Sequence, residues 1–337
     1  MSLSAVTSRP FEAPSPIDLA PRSLSARLDT ALQTGEQARL DSLSHAEPRS
    51  ERDALQSMLC LHDLWISPVS ELDGREAFHG HPVIASLKWR LEHDFVSRLD
   101  DMIAGDELVV DVVPAVEAMR RVAARELIPP VYEWLRDHAT WNELVNFLAI
   151  EGGPDGGFDD FVALTQVGIR GIAKVALASN YWDELGRGTL SDVHTVLHDD
   201  LVNATGMRKI PRADLPTSAL ERAAIGGVLA TNRWLQPEAI GAFGLLELQA
   251  GPRCRAVVRA LHRLKAPAGA FPFYEEHATA DPLHGKDWLD RVVAPLAEAD
   301  WRWSARMTRG ALWRSAINHR FFVDASQRRV RSSHPLQ

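Results

Sequence analysis

Residues 180–198 read NYWDELGRGTLSDVHTVLH, and whether this stretch is one helix or two decides what kind of bundle the chain builds. Glu184 and His194 stand ten residues apart. On one uninterrupted helix that gap is ~15 Å along the axis and roughly 80° around it, so the two side chains could not meet in a small site. Gly186 and Gly188 lie between them and permit the backbone angles that a break requires. The spacing therefore predicts that regular helix stops between Leu185 and Thr189, that a second helix starts near His194, and that the acid and the imidazole are brought back together. The competing reading is two separate helices joined by a glycine turn, with no common site.

Working outward, helical periodicity dominates the chain. FVALTQVGIRGIAKVALASNYWDEL (161–185), LERAAIGGVLATN (220–232), PEAIGAFGLLELQAG (237–251), RCRAVVRALHRL (253–264) and WSARMTRGALWRSAINHRFF (303–322) place apolar residues three and four apart. The same holds for residues 23–43, 51–65, 81–104 and 111–138, with Pro82 where a first-turn proline belongs. Alternating strand patterns are scarce. The fold class expected is all-α: a helical bundle over residues 140–322 with an additional N-terminal helical region at 23–139. Residues 1–22, with four prolines and no apolar period, read as a disordered arm, and 323–337 as a solvated basic tail.

Composition narrows the function. In 337 residues, 45% apolar content supports a core, and a net charge of −8 offers no electrostatic grip on nucleic acid. Cys60 and Cys254 are too few for a disulfide framework or a thiolate zinc site, and they fit a reducing cytoplasm. The start MSLSAVTSRPFEAPSP lacks the layout of a secretory signal, and no segment approaches ~18 uninterrupted apolar residues, so neither export nor a membrane span is expected. There is no P-loop, no GxSxG and no GxGxxG after a strand; GGPDGG (152–157) lacks a following lysine and reads as a helix stop after Glu151.

The chemistry lies in carboxylates and histidines. In EEHATADPLHGKDW (275–288), His277, Asp281 and His284 stand at i, i+4 and i+7, within a sector of roughly 60° on a helix. Nitrogen and oxygen donors aimed one way suit iron. The bland alternative is an exposed polar face, and Pro282 is expected to distort the helix locally. Glu247 interrupts the apolar run Phe243–Leu248 and needs a partner if buried, either a metal or Arg253 or Arg255. Glu151 places a negative charge at a helix C-terminus, against the dipole, where something cationic should compensate. Glutamates, an aspartate and histidines spread over several helices form the ligand inventory of a carboxylate-bridged dimetal centre inside a bundle.

These residues resemble the heme-oxygenase-like diiron oxidases and oxygenases, the iron-containing redox enzymes, and are most similar to their N-oxygenase branch. The resemblance covers roughly residues 140–295 and rests on Glu151, NYWDELGRG with His194, Glu247, and His277–Asp281–His284. It implies a heme-oxygenase-like bundle and an iron-ligand set of Glu151, Glu184, His194, Glu247, His277, Asp281 and His284, with Glu184 or Glu247 as the bridge. Glu143, Asp159 or Asp160 could replace Glu151, and His198 could replace His194. His79 and His81 read as loop residues.

It further implies two irons cycling between Fe(II) and Fe(III), dioxygen as co-substrate through a peroxo-diiron intermediate, and an external electron donor. A small amine or amino-acid-like substrate undergoing N-oxygenation in specialised metabolism is the first expectation. Oxidative C–C cleavage or desaturation of a small amino or fatty acid is the second, and a non-enzymatic helical binding protein stands as the alternative of another class. Arg170, Lys174 and Arg187 are candidates to meet a substrate carboxylate, or else surface charges. The first 130 residues carry no transferable motif and are expected to cover the bundle or to mediate homodimerisation.

Overall fold

The computed structural model describes residues 23–110, 113–152 and 157–332. The arm expected at 1–22 and most of the GGPDGG segment lie outside the described residues, which contain helices and no strand.

The N-terminal region holds α1 (Leu24–Thr34), α2 (Gln37–Asp41), α3 (Glu51–Ile66), α4 (Val69–Leu72), α5 (Pro82–Ile103), α6 (Glu107–Val110), α7 (Ala115–Arg125) and α8 (Pro130–Asp137). Two periodic segments are each split in two. Residues 23–43 break at Gly35, whose φ of 65° ends α1 in a left-handed cap, and 111–138 break ahead of Pro130, which opens α8. Pro82 does stand in the first turn of α5. Asp53 of α3 ties the entry of α1 down by accepting from the backbone N–H groups of Leu24 (2.8 Å), Ser25 (2.9 Å) and Arg49 (3.0 Å).

The second half holds α9 (Trp141–Glu151), α10 (Phe158–Thr165), α11 (Gly171–Glu184), α12 (His194–Thr205), α13 (Thr217–Thr231), α14 (Gln236–Arg263), α15 (Pro272–Asp287), α16 (Ala294–Ala299) and α17 (Trp301–Ser332). α14 is the axis: it packs on α15, α17, α8, α7, α13 and α10 and is buried along most of its length. Its 28 residues span about 42 Å. α14 and α17 cross with their backbones almost touching. A Cβ on Gly241 would lie 1.8 Å from the Met307 carbonyl oxygen, and one on Gly310 would lie 2.0 Å from that of Glu238, so each helix needs glycine at the crossing. The N-terminal region is bound to this frame, α3 against α13 and α5 against α17. α17 continues to Ser332, so residues 323–332 extend a bundle helix where a tail was expected; Arg328 pairs with Asp324 and Arg329 lies over the Trp134 ring.

Pro282 does not interrupt α15. A proline cannot donate to the carbonyl four residues back, here that of Ala278, and Arg255 Nη1 from α14 donates to that oxygen instead at 2.9 Å. The irregular turn comes later, as a π-helical segment at Trp288–Val293 that follows directly on α15.

Candidate metal centre

Between α11 and α12 the chain leaves regular helix where the glycines stand. Gly186, Arg187 and Gly188 all take left-handed backbone angles (φ 59°, 53° and 87°), followed by a 3-10 turn at Leu190–Asp192. The reversal is tight: a Cβ on Gly186 would meet the Asp192 carbonyl carbon at 2.5 Å. It returns His194, the first residue of α12, to Glu184, the last of α11, with Nδ1 2.5 Å from Oε2. Both side chains are buried.

Opposite them, α15 presents His277, Asp281 and His284, and α14 presents Glu247. His284 Nδ1 lies 3.6 Å from Glu247 Oε2 and 3.8 Å from Asp281 Oδ1. The close packing of α15 on α14 fixes this, since a Cβ on Gly285 would already be 3.0 Å from the Glu247 carbonyl oxygen. Glu247 does not pair with its neighbouring arginines: Arg253 donates to the Glu126 and Leu127 carbonyls and to Gln249, and Arg255 to Ala278. Its second oxygen accepts from Asn180 Nδ2 at 2.9 Å.

Among the described residues, two groups of atoms that could hold a metal ion result, each within 4.8 Å. One is Glu184, His194 and His277; the other is Glu184, Glu247 and His284. Glu184 belongs to both. Asp281, 2% exposed, borders the second through His284, and among the described residues its Oδ2 has no hydrogen-bond partner; neither has His194 Nε2 nor His284 Nδ1. Buried polar atoms left without partners are costly, and cations bound at the two groups would satisfy them. The donors are nitrogen and carboxylate oxygen only, which suits iron.

The protonation equilibria describe the same deficit of positive charge. Burial works against protonation of His284, yet Glu247 and Asp183 raise its pKa to about 10. Burial likewise opposes protonation of His194, and Glu184 outweighs it, holding the imidazole above its ordinary value. Burial and the neighbouring Glu247 charge push the Asp281 carboxyl well up. His277 goes the other way, lowered by burial and by His194.

Glu151 stands outside both groups. At the end of α9 its carboxylate receives Arg222 Nη2 at 2.9 Å and the Tyr132 hydroxyl at 3.0 Å, so the compensating cation is a guanidinium. It lines a cavity of about 330 Å³ together with Glu184, His194 and His277. Of its alternatives, Glu143 is committed to the capping box with Thr140, while Asp159 lines this cavity and Asp160 a neighbouring one without joining either group; His198, the alternative to His194, also lines the cavity outside both groups. His79 and His81 lie in the turn before α5 and join neither group. Arg187 pairs with Asp183 and Glu276, and Lys174 donates to the Gln166 carbonyl; the guanidiniums on the cavity wall are Arg222 and Arg253.

The family model of the iron-containing redox enzymes matches residues 147–319. The chain belongs to this family. Among curated proteins none matches it. As an iron-containing redox enzyme it has an all-α, heme-oxygenase-like bundle, and its matched segment includes Glu151, Glu184, His194, Glu247, His277, Asp281 and His284. No helix among the described residues is long and apolar enough to cross a membrane.

Sequence reasoning missed the residues around the two candidate groups. Arg222 sits in LERAAIGGVLATN, a helix buried on nearly every side, where nothing in the pattern singles out one arginine, and its partner Glu151 is 71 residues away. Asn180 and Asp183 were within the quoted stretch, and their helical offsets from Glu184, four and one, could have flagged them.

Proposed function

We propose that the chain is a dioxygen-dependent non-haem diiron oxygenase that acts on a small amine or amino-acid-like substrate, with N-oxygenation as its reaction. The observation that carries the two-metal reading is the Glu184 carboxylate, common to a group with His194 and His277 and a group with Glu247 and His284. A carboxylate shared in this way is what a bridged pair of ions in a helical bundle requires. Asp281 adds an oxygen donor on the His284 side.

Iron bound at these residues supplies the electrons that activate dioxygen. The chain's own residues supply the surroundings. Phe158, Phe161, Phe243 and Leu246 line a second cavity of about 170 Å³ against Glu184, Glu247, His277 and Asp281, which gives the reacting face an apolar wall. The 330 Å³ cavity is of small-molecule size and meets the ligands Glu184, His194 and His277 on one side. Asp159 and Asp199 line it and match an ammonium group, while Phe273 and Tyr274 supply aromatic faces. Arg222 and Tyr132 donate to Glu151, so that its charge stays paired on the cavity wall.

Anaerobic reconstitution with ferrous iron, followed by oxygen and a panel of amines and amino acids, tests this by mass spectrometry. Gain of one oxygen on the amine nitrogen, with oxygen uptake that depends on iron, is the expected outcome. Chain shortening or loss of two hydrogens instead would move the reaction to C–C cleavage or desaturation, and failure to retain iron would remove the oxygenase reading.

A further inference from the structure

A metal-binding imidazole commits one ring nitrogen to the ion and leaves the other N–H to a partner that fixes the ring. The two histidines of α15 are fixed in opposite senses. His277 Nδ1 lies 2.6 Å from the Phe273 carbonyl oxygen, which can only accept, so that nitrogen carries the proton and Nε2 is left to the site. His284 Nε2 lies 3.0 Å from Asp183 Oδ2, so here Nε2 carries the proton and Nδ1 faces Glu247 and Asp281. Asp183 directly precedes Glu184 on α11. Successive residues are roughly 100° apart around a helix, so one carboxylate enters the centre and the other reaches behind His284.

Asp183 is itself held. Arg187 donates to Asp183 Oδ1 at 3.3 Å and to Glu276 Oε1 at 3.0 Å, which joins the residues just before Glu184 on α11 and just before His277 on α15. Arg187 makes both contacts from a left-handed backbone (φ 53°) that a non-glycine residue adopts only at a cost.

We propose that Asp183 is a positioning residue: it orients His284 so that this histidine ligates through Nδ1 while His277 ligates through Nε2, and Arg187 holds Asp183 in place. The inference rests on the two-metal reading of the centre. The carboxylate also makes the His284 imidazole a stronger donor, so its loss weakens the ion on the Glu247–His284 side and leaves the other side intact.

The experiment uses the full chain in two arms. In the first, protein labelled with ¹⁵N-histidine is loaded with zinc, a diamagnetic stand-in, and the ring nitrogens are read by NMR; metal-bound Nδ1 with protonated Nε2 is expected for His284, and the reverse for His277. In the second, ferrous ion is titrated anaerobically into wild type, Asp183→Asn and Asp183→Ala. Asp183→Ala is expected to weaken one of two binding steps by about 10- to 100-fold and spare the other. Asp183→Asn, whose amide oxygen still accepts from Nε2–H, should fall between. A purely structural role for Asp183 would weaken both steps together or lower thermal stability without selectivity, and that result overturns the inference, as does ligation of His284 through Nε2. If wild type itself takes up no metal, the two-metal reading fails, an outcome distinct from two unaltered steps in Asp183→Ala, which sinks only the role of Asp183.

Discussion

Glu184 is buried where α11 ends, and both ligand groups of the candidate centre include it. The histidines on either side of it are not equivalent to it. His277 belongs to one group and His284 to the other, so His277→Ala and His284→Ala are each expected to keep about one iron per folded chain, measured by iron analysis after anaerobic loading and desalting. A variant of this pair that retains two irons would remove its histidine from the ligands. Legibility at this scale followed local spacing. Glu184 with His194, and His277 with Asp281 and His284, could be read because their offsets are set by one turn or one helix. The partners of Glu151 could not, since its carboxylate accepts from Tyr132 and Arg222 on two other helices. Tyr132→Phe removes one donor from that carboxylate and is expected to lower stability by about 1 kcal/mol in chemical denaturation, without loss of iron.

The α11–α12 reversal is the element that assembles the centre. Gly186 pairs a positive φ with an approach that leaves no room for a Cβ, so Gly186→Ala is strained twice over. The expected result is a loss of about 2–4 kcal/mol together with weakened iron uptake, because the displaced turn carries His194 with it. Iron uptake and stability both equal to wild type would show that the turn does not position the ligand. At the other end of the chain, Asp53 anchors α1. Burial pushes its carboxyl up, but the backbone N–H groups of Arg49, Ser25 and Leu24 outweigh that and hold the pKa below its usual value. A carboxylate with a depressed folded pKa contributes stability that is fully present above its unfolded value, near ~3.9, and is lost as pH falls through the folded value. Asp53→Asn should therefore cost about 2 kcal/mol at neutral pH, and the difference from wild type should shrink in acid, as followed by denaturant melts across pH. Pro282 marks the limit of reading an element alone: it signals a break, and the helix continues because Arg255 from α14 supplies the missing donor.

For the molecule as a whole, helix periodicity was sufficient to give the all-α class, because apolar stripes record which faces are buried. It did not record which helix lies against which. The N-terminal region carries no motif, yet α3 packs on α13 so closely that His62, paired with Glu92 at 2.9 Å, occupies the space a side chain on Gly227 would need. Such contacts join residues more than a hundred positions apart and leave no periodic trace. What the assembled bundle achieves is to bring α11, α12, α14 and α15 to one buried carboxylate, and the central claim is that this carboxylate serves two irons. Anaerobic ferrous titration of wild type and Glu184→Ala, with ⁵⁷Fe Mössbauer spectra of the loaded proteins, tests it most directly. The account predicts two irons per chain in wild type and the loss of both binding steps in a folded Glu184→Ala; a wild type saturating at one iron, or a Glu184→Ala that still holds two, would contradict it.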